Sequence, residues 1–171
     1  MVFRGPAGLL SPRTVRELPA PQTLSGPWEL RLPGRTLTLP QLISWSDHSL
    51  EELKYFSGTA AYMKEFELPR DATNALFLDL GEVKEIAEVE LNGTDFGVLW
   101  KPPFVVEVTA AIRPGRNHLV IRITNLWPNR LIGDQRLPPE KRRAWTTWSP
   151  YTKDSPLLPS GLLGPVVLRT A

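Results

Sequence analysis

The chain has 171 residues, with 20 Lys and Arg against 18 Asp and Glu, a formal net charge of +2. That length holds one ordinary domain and not comfortably two, and the near-balance of charge gives no basic stripe of the kind nucleic-acid binders carry. Cysteine is absent, which excludes disulfide frameworks, thiolate metal sites, thiol nucleophiles and iron–sulfur clusters. No apolar run approaches the ~20 residues a membrane helix needs, and Met1-Val2-Phe3-Arg4-Gly5-Pro6 lacks the apolar stretch of a signal peptide.

Residues 1–25 contain Pro6, Pro12, Pro19 and Pro21 with little periodicity, and read as an extended arm or linker. The folded domain is expected over residues 26–171, starting near Gly26-Pro27-Trp28. Ser49-Leu50-Glu51-Glu52 has the form of a helix capping box with Gly58 as a stop, so 49–56 is expected to make one or two turns. Beyond it the pattern has period two. Ala60, Tyr62, Phe66 and Leu68 form one alternating set, interrupted by Lys64. Leu76, Leu78 and Leu80 form the next, then Ala87, Val89 and Leu91, then Phe104, Val106 and Val108, then Leu119, Ile121 and Ile123. Each set predicts a strand with one buried face, and Leu78, Val89, Val106 and Ile121 are expected in the core. Asn92-Gly93 between two such runs predicts a type I′ hairpin, and Pro114-Gly115 predicts a turn. Strands at this spacing with scarce helix predict an all-β, antiparallel β-sandwich.

From Leu126 to Leu163 the rhythm stops. This stretch contains Trp127, Trp145, Trp148, Tyr151 and six prolines. A loop this long in a small domain is functional or disordered, and its aromatics argue against disorder. Pro139 to Arg143 reads as a short turn with proline at its first position. Val166-Val167-Leu168-Arg169 predicts the last strand.

The motifs Ser57-Gly58-Thr59-Ala60-Ala61-Tyr62, Leu78-Asp79-Leu80-Gly81-Glu82-Val83 and Ala87-Glu88-Val89-Glu90-Leu91-Asn92-Gly93 occur in this order. They are followed by Gly97-Val98-Leu99-Trp100-Lys101-Pro102-Pro103-Phe104 and Thr124-Asn125-Leu126-Trp127-Pro128-Asn129-Arg130-Leu131-Ile132-Gly133-Asp134. Together they resemble the sugar-binding jelly-roll domain of glycoside hydrolase family two. The version they are most similar to sits at the C-terminal end of large bacterial proteins like the family one hundred and six α-L-rhamnosidases. The likeness covers about residues 26–170. It implies a galactose-binding-like jelly roll, a carbohydrate-associated accessory module, an oligo- or polysaccharide as ligand and a glycosidase catalytic domain as partner. It leaves the compartment open, with a periplasmic or secreted parent protein as the expectation. In those enzymes the catalytic acid and nucleophile sit on a separate barrel that this chain is too short to contain, so the resemblance carries no catalysis over.

For a sugar ligand, Trp127, Trp145, Trp148 and Tyr151 offer rings that stack on C–H faces, and Asn129, Arg130 and Asp134 offer groups that bond hydroxyls. Core and loop packing is the competing reading of the aromatics, and more strongly so for Trp28 and Trp100. An Arg130–Asp134 pair that pins the loop is the competing reading of the polar set. If the chain hydrolyses glycosides alone, Asp134, Glu140 and Asp154 are the carboxyls within one loop that would serve. The third alternative is a purely structural interaction domain. Arg136, Lys141, Arg142 and Arg143 form the one basic knot, read either as a solvated face or as a contact for an acidic glycan. His48 and His118 stand far apart and outside any metal motif, so no metal site or cofactor is expected from side-chain spacing, while a structural calcium is left open. Asn92-Gly93-Thr94 matches a glycosylation sequon, but the hairpin turn already explains it.

Overall fold

A computed structural model describes residues 21–68 and 75–170. Strands account for 44% and helices for 12%, and all strand pairings are antiparallel. The expected all-β sandwich is therefore the observed architecture.

The described residues form twelve strands: β1 (Gln22–Thr23), β2 (Trp28–Leu32), β3 (Arg35–Leu39), β4 (Thr59–Leu68), β5 (Leu76–Asp79), β6 (Glu82–Lys84), β7 (Ile86–Leu91), β8 (Thr94–Leu99), β9 (Val105–Glu107), β10 (Gly115–Thr124), β11 (Gly161–Gly164) and β12 (Val167–Thr170). One sheet has the order β3-β2-β4-β10-β7-β8, the other β1-β12-β5-β9, and β11 pairs with β6 as a small third sheet. Leu30, Tyr62, Val89, Leu119 and Ile121 from the larger sheet meet Leu78 and Leu168 from the smaller in one buried cluster. Three of the four residues expected in the core are buried; Val106 is half-buried and packs against the cluster, because β9 is a short strand at the edge of its sheet.

The Asn92-Gly93 turn has φ of 53° and 83°, the two positive values a type I′ turn requires. The Asn92 side chain is fully engaged there, donating to Ala111 O at 2.9 Å and Asn117 Oδ1 at 2.8 Å while accepting from His118 N at 2.9 Å. Lys64 interrupts the apolar face of β4 for a reason. Its Nζ donates to the carbonyls of Ser25, Gly26 and Pro27 at 2.6, 3.0 and 3.0 Å and sits 5.5 Å from the Trp28 ring centroid. Desolvation holds this ammonium below its ordinary pKa.

Three sequence expectations need correction. The sandwich includes β1, with Leu24 buried, so the part of the 1–25 stretch from Gln22 onward belongs to the fold; residues 1–20 lie outside the described residues. The cause is backbone pairing with β12, which composition does not register. The 49–56 segment makes one turn, as expected, in α1 (Glu51–Lys54), but the capping box is absent: the N-cap is Leu50 with no side-chain cap, and Leu50 N donates to His48 Nδ1 at 3.0 Å. The side-chain cap in this region is Ser44, at a 3-10 turn over Trp45–Asp47. The long loop also contains regular structure not expected from the sequence, α2 (Pro128–Asp134) and, at its end, β11, while the short turn expected at Pro139 to Arg143 is present as a 3-10 turn over Pro139–Lys141. Among the described residues no helix is long and apolar enough to cross a membrane.

Candidate functional site

The long loop leaves β10 at Thr124, the end opposite the Asn92-Gly93 turn. Asn125 anchors its start: Oδ1 accepts from Gly58 N at 3.0 Å and Nδ2 donates to Phe56 O at 2.9 Å. Pro128 then opens α2, where a missing N–H costs nothing. The helix buries Asn129, Leu131, Ile132, Gly133 and Asp134. Gly133 is required because α2 packs against Tyr55. A Cβ there would lie 2.6 Å from Tyr55 Cγ and 2.9 Å from Arg130 Nη2.

Asp134 organises the segment beyond the helix. Its Oδ1 lies 2.8 Å from Arg130 Nη2, and the two side chains are 3% and 14% exposed. Its Oδ2 accepts from the backbone N–H of Arg143 at 3.0 Å and of Ala144 at 2.8 Å. One carboxylate thus ties residues 143–144 onto α2 and sets the path of the chain after them. Trp145 and Trp148 emerge from it 79% and 74% exposed. Thr146 Oγ1 donates to Trp148 O at 2.8 Å and accepts from Trp148 N at 3.4 Å, so the turn between the two rings is held locally. The rings border a concavity of about 620 Å³ whose lining includes Asp134, Gln135, Arg142, Arg143, Thr146 and Ser149. A neighbouring concavity of about 440 Å³ contains Glu51, Glu52, Arg130, Arg136 and, shared with the first, Arg143.

The structure therefore brings Asp134, Trp145 and Trp148 together and separates the other candidates. Trp127 is exposed at the start of α2 and does not line that concavity. Asn129 is buried and bonds Leu158 on both sides of its amide, donating to O at 2.7 Å and accepting from N at 2.8 Å. Arg130 is engaged with Asp134. Tyr151 is half-buried, outside the lining. Asn129 and Arg130, candidates for bonding a ligand, both have protein partners here, Leu158 and Asp134, as the competing loop-pinning reading of Arg130 has it. Of the three carboxyls that hydrolysis would need to draw on, Glu140 and Asp154 are exposed and do not line the concavity that Asp134 lines; Asp154 pairs with Lys153 at 3.1 Å. Among the described residues no three His, Asp or Glu side chains group as metal ligands. Thr146, Thr147 and Ser149 also line the concavity, and their interleaving with the two tryptophans is the one sequence signal that marks them.

No protein-family model matches the chain. It is 39% identical, over 198 aligned positions, to a Formosa agariphila protein named "Putative beta-glucuronidase", covering 98% of this chain and 17% of that protein. It is 38% identical to the solved rhamnosidase of a Novosphingobium species, with a TM-score of 0.78, over 86% of this chain and 14% of that one. The chain is related to a segment of glycoside hydrolases. A Ruminococcus gnavus β-glucuronidase shares the fold at 20% identity and a TM-score of 0.58, over 64% of this chain and 22% of that one. The relatedness thus extends over the sandwich and the long loop, but the chain spans only 17% and 14% of the lengths of the first two relatives.

Proposed function

We propose that the chain is a carbohydrate-associated accessory module of the sugar-binding jelly-roll type, similar to that of glycoside hydrolase family two and of family one hundred and six α-L-rhamnosidases. In this reading it presents the Trp145–Trp148 rim to an oligo- or polysaccharide and works beside a catalytic domain, without hydrolysing bonds itself. The observation that carries the reading is the pair of exposed indoles, 79% and 74% accessible, bordering a concavity whose lining includes Thr146, Thr147 and Ser149. Large apolar rings held in water at the mouth of a concavity mark a contact surface, and a ring with polar neighbours suits a sugar. The tie between Asp134 and residues 143–144 supports it further, since a pre-set loop loses less entropy on binding. Hydrolysis by this chain alone is disfavoured by the engagement of both Asp134 oxygens. The test is tryptophan fluorescence titrated with galactosides, rhamnosides and pectic oligosaccharides. Saturable shifts with Kd on the order of 0.1–1 mM are expected, lost in Trp148→Ala. A flat response to every sugar would sink the reading.

A second reading, a protein-contact domain, has its own observation. Val98, Trp100, Leu126 and Trp127 are also exposed. In that case the exposed apolar side chains meet another protein domain, and sugars leave the spectrum unchanged.

A further inference from the structure

We infer that the concavity beside Trp145 and Trp148 takes an anionic saccharide, a ring carrying a carboxylate or a sulfate ester, gripped by the guanidinium of Arg143. This rests on the sugar-facing reading of the rim and adds the charge of its ligand.

Charge distribution is the first argument. Between Gln135 and Ser149 stand four basic residues and one acidic residue, a net +3 that exceeds the +2 of the whole chain. Two of the four basic residues, Arg142 and Arg143, line the concavity. The carboxylate among the lining residues, Asp134, is buried against Arg130 and two backbone N–H groups, so it offers little repulsion. Arg142 and Arg143 remain as the charged lining.

The second argument is what each guanidinium already does. Arg130 faces Asp134. Arg136 donates to Lys153 O at 2.6 Å and lies 5.8 Å from the Tyr55 ring centroid. Arg142 Nε donates to Leu137 O at 3.3 Å. The Arg143 side chain has no hydrogen bond or ion pair among the described residues, yet its backbone is fixed to Asp134 at 3.0 Å. An anchored backbone with an uncommitted planar fork suits a carboxylate or sulfate, which it can bond at two oxygens.

The third argument is direction. Arg143 borders both concavities, but the 440 Å³ one also carries Glu51 and Glu52. Each concavity has one more arginine than carboxylate in its lining; what favours the tryptophan side is that its carboxylate, Asp134, is buried in its own contacts, whereas Glu51 and Glu52 are exposed in the other. On that side a ring stacked on an indole places its hydroxyls toward Thr146, Thr147 and Ser149.

The experiment is calorimetric titration of the intact chain with three probes: galacturonate trimer, the same trimer methyl-esterified, and a sulfated galactose oligosaccharide. The esterified trimer keeps the rings and removes the charge. The acid is expected to bind about tenfold tighter than its ester, from one charge-assisted bidentate pair, with the preference shrinking as salt rises. Arg143→Gln should erase the preference, so that acid and ester bind alike, and leave Tm unchanged. Tighter binding of the sulfated probe than of the acid supports the inference with sulfate as the anion. Equal affinity for all three probes, or a preference that survives Arg143→Gln, overturns it while leaving sugar binding intact. Failure of all three probes, neutral one included, removes the underlying reading as well.

Discussion

Asn129 and Leu158 hold each other twice, the Asn129 amide donating to the Leu158 carbonyl at 2.7 Å and accepting from its N–H at 2.8 Å. This clamp closes the base of the candidate rim across 29 residues, so everything between α2 and the return to β11 is a loop with fixed ends. Asn129→Ala removes both bonds and leaves a backbone donor and acceptor without them. A loss of about 1–3 kcal/mol is expected, measured by urea denaturation. Faster protease cleavage between residues 135 and 157, with an unchanged sheet signal in circular dichroism, should accompany it.

The rim residues divide by burial. Trp145→Ala and Trp148→Ala remove exposed side chains, so stability should stay within about 0.5 kcal/mol of wild type. Asp134→Asn behaves differently. It removes the charge facing Arg130 inside a nearly closed pocket, and loss of one partner of a buried pair is strongly destabilising. A drop of about 2–4 kcal/mol is expected, since Arg130 keeps some solvent contact. Thermal melts of the three variants check the contrast, and equal melting temperatures would contradict it.

Tyr62 makes folding sensitive to alkali. Burial raises its phenol above the ordinary value of 10.0, outweighing the donors Leu162 N and Trp45 Nε1 that favour the phenolate. Below pH 10 the group is protonated in both states, so its contribution is fully present. Above that, the unfolded chain releases the proton while the folded chain retains it, and stability falls by up to about 1.4 kcal/mol per pH unit. The check compares wild type with Tyr62→Phe by denaturation between pH 9 and 12. The variant, although weaker at neutral pH for want of the oxygen acceptor, should show the shallower decline.

Gly161 stands where β11 passes the Trp45–Tyr62 pair. Its φ is +94°, and a Cβ would come within 2.6 Å of Trp45 Nε1 and 2.8 Å of Tyr62 Oη. Gly161→Ala is expected to cost about 2–4 kcal/mol, from backbone strain and overpacking together. Near-ultraviolet circular dichroism should register the displaced indole, and a wild-type spectrum with unchanged stability would refute the packing argument.

How much of the fold is legible in the sequence depends on the range of the interaction. The faces of β4, β7 and β10 are written in local alternation, and the Asn92-Gly93 turn in two adjacent residues. β1 and β11 carry no such mark, because each exists through a partner far along the chain, β12 and β6. α2 is hidden because Asn129, Arg130 and Asp134 read as polar surface groups. Their burial depends on Leu158, residues 143–144 and the bare Cα of Gly133 against Tyr55, none of which is a periodic signal. The two indoles at the rim are legible as a type of residue in a type of segment. Their companions Thr146, Thr147 and Ser149 are marked in the sequence only by alternating with the two tryptophans, and their place in the lining appears once the loop is folded.

The pairing of β1 with β12 has a mechanical consequence. Gln22 lies opposite Leu168 and Thr23 opposite Val167, so the first and last described strands lie side by side at one edge of the smaller sheet. Tension applied through these two strands loads the pair in a peeling direction, one rung at a time, and the pair has two rungs. The ten-rung ladder between β4 and β10 lies inside the larger sheet and is not in the line of force. A pull along the backbone should therefore detach this edge first, at low force, while the ladder that carries the candidate rim keeps its register.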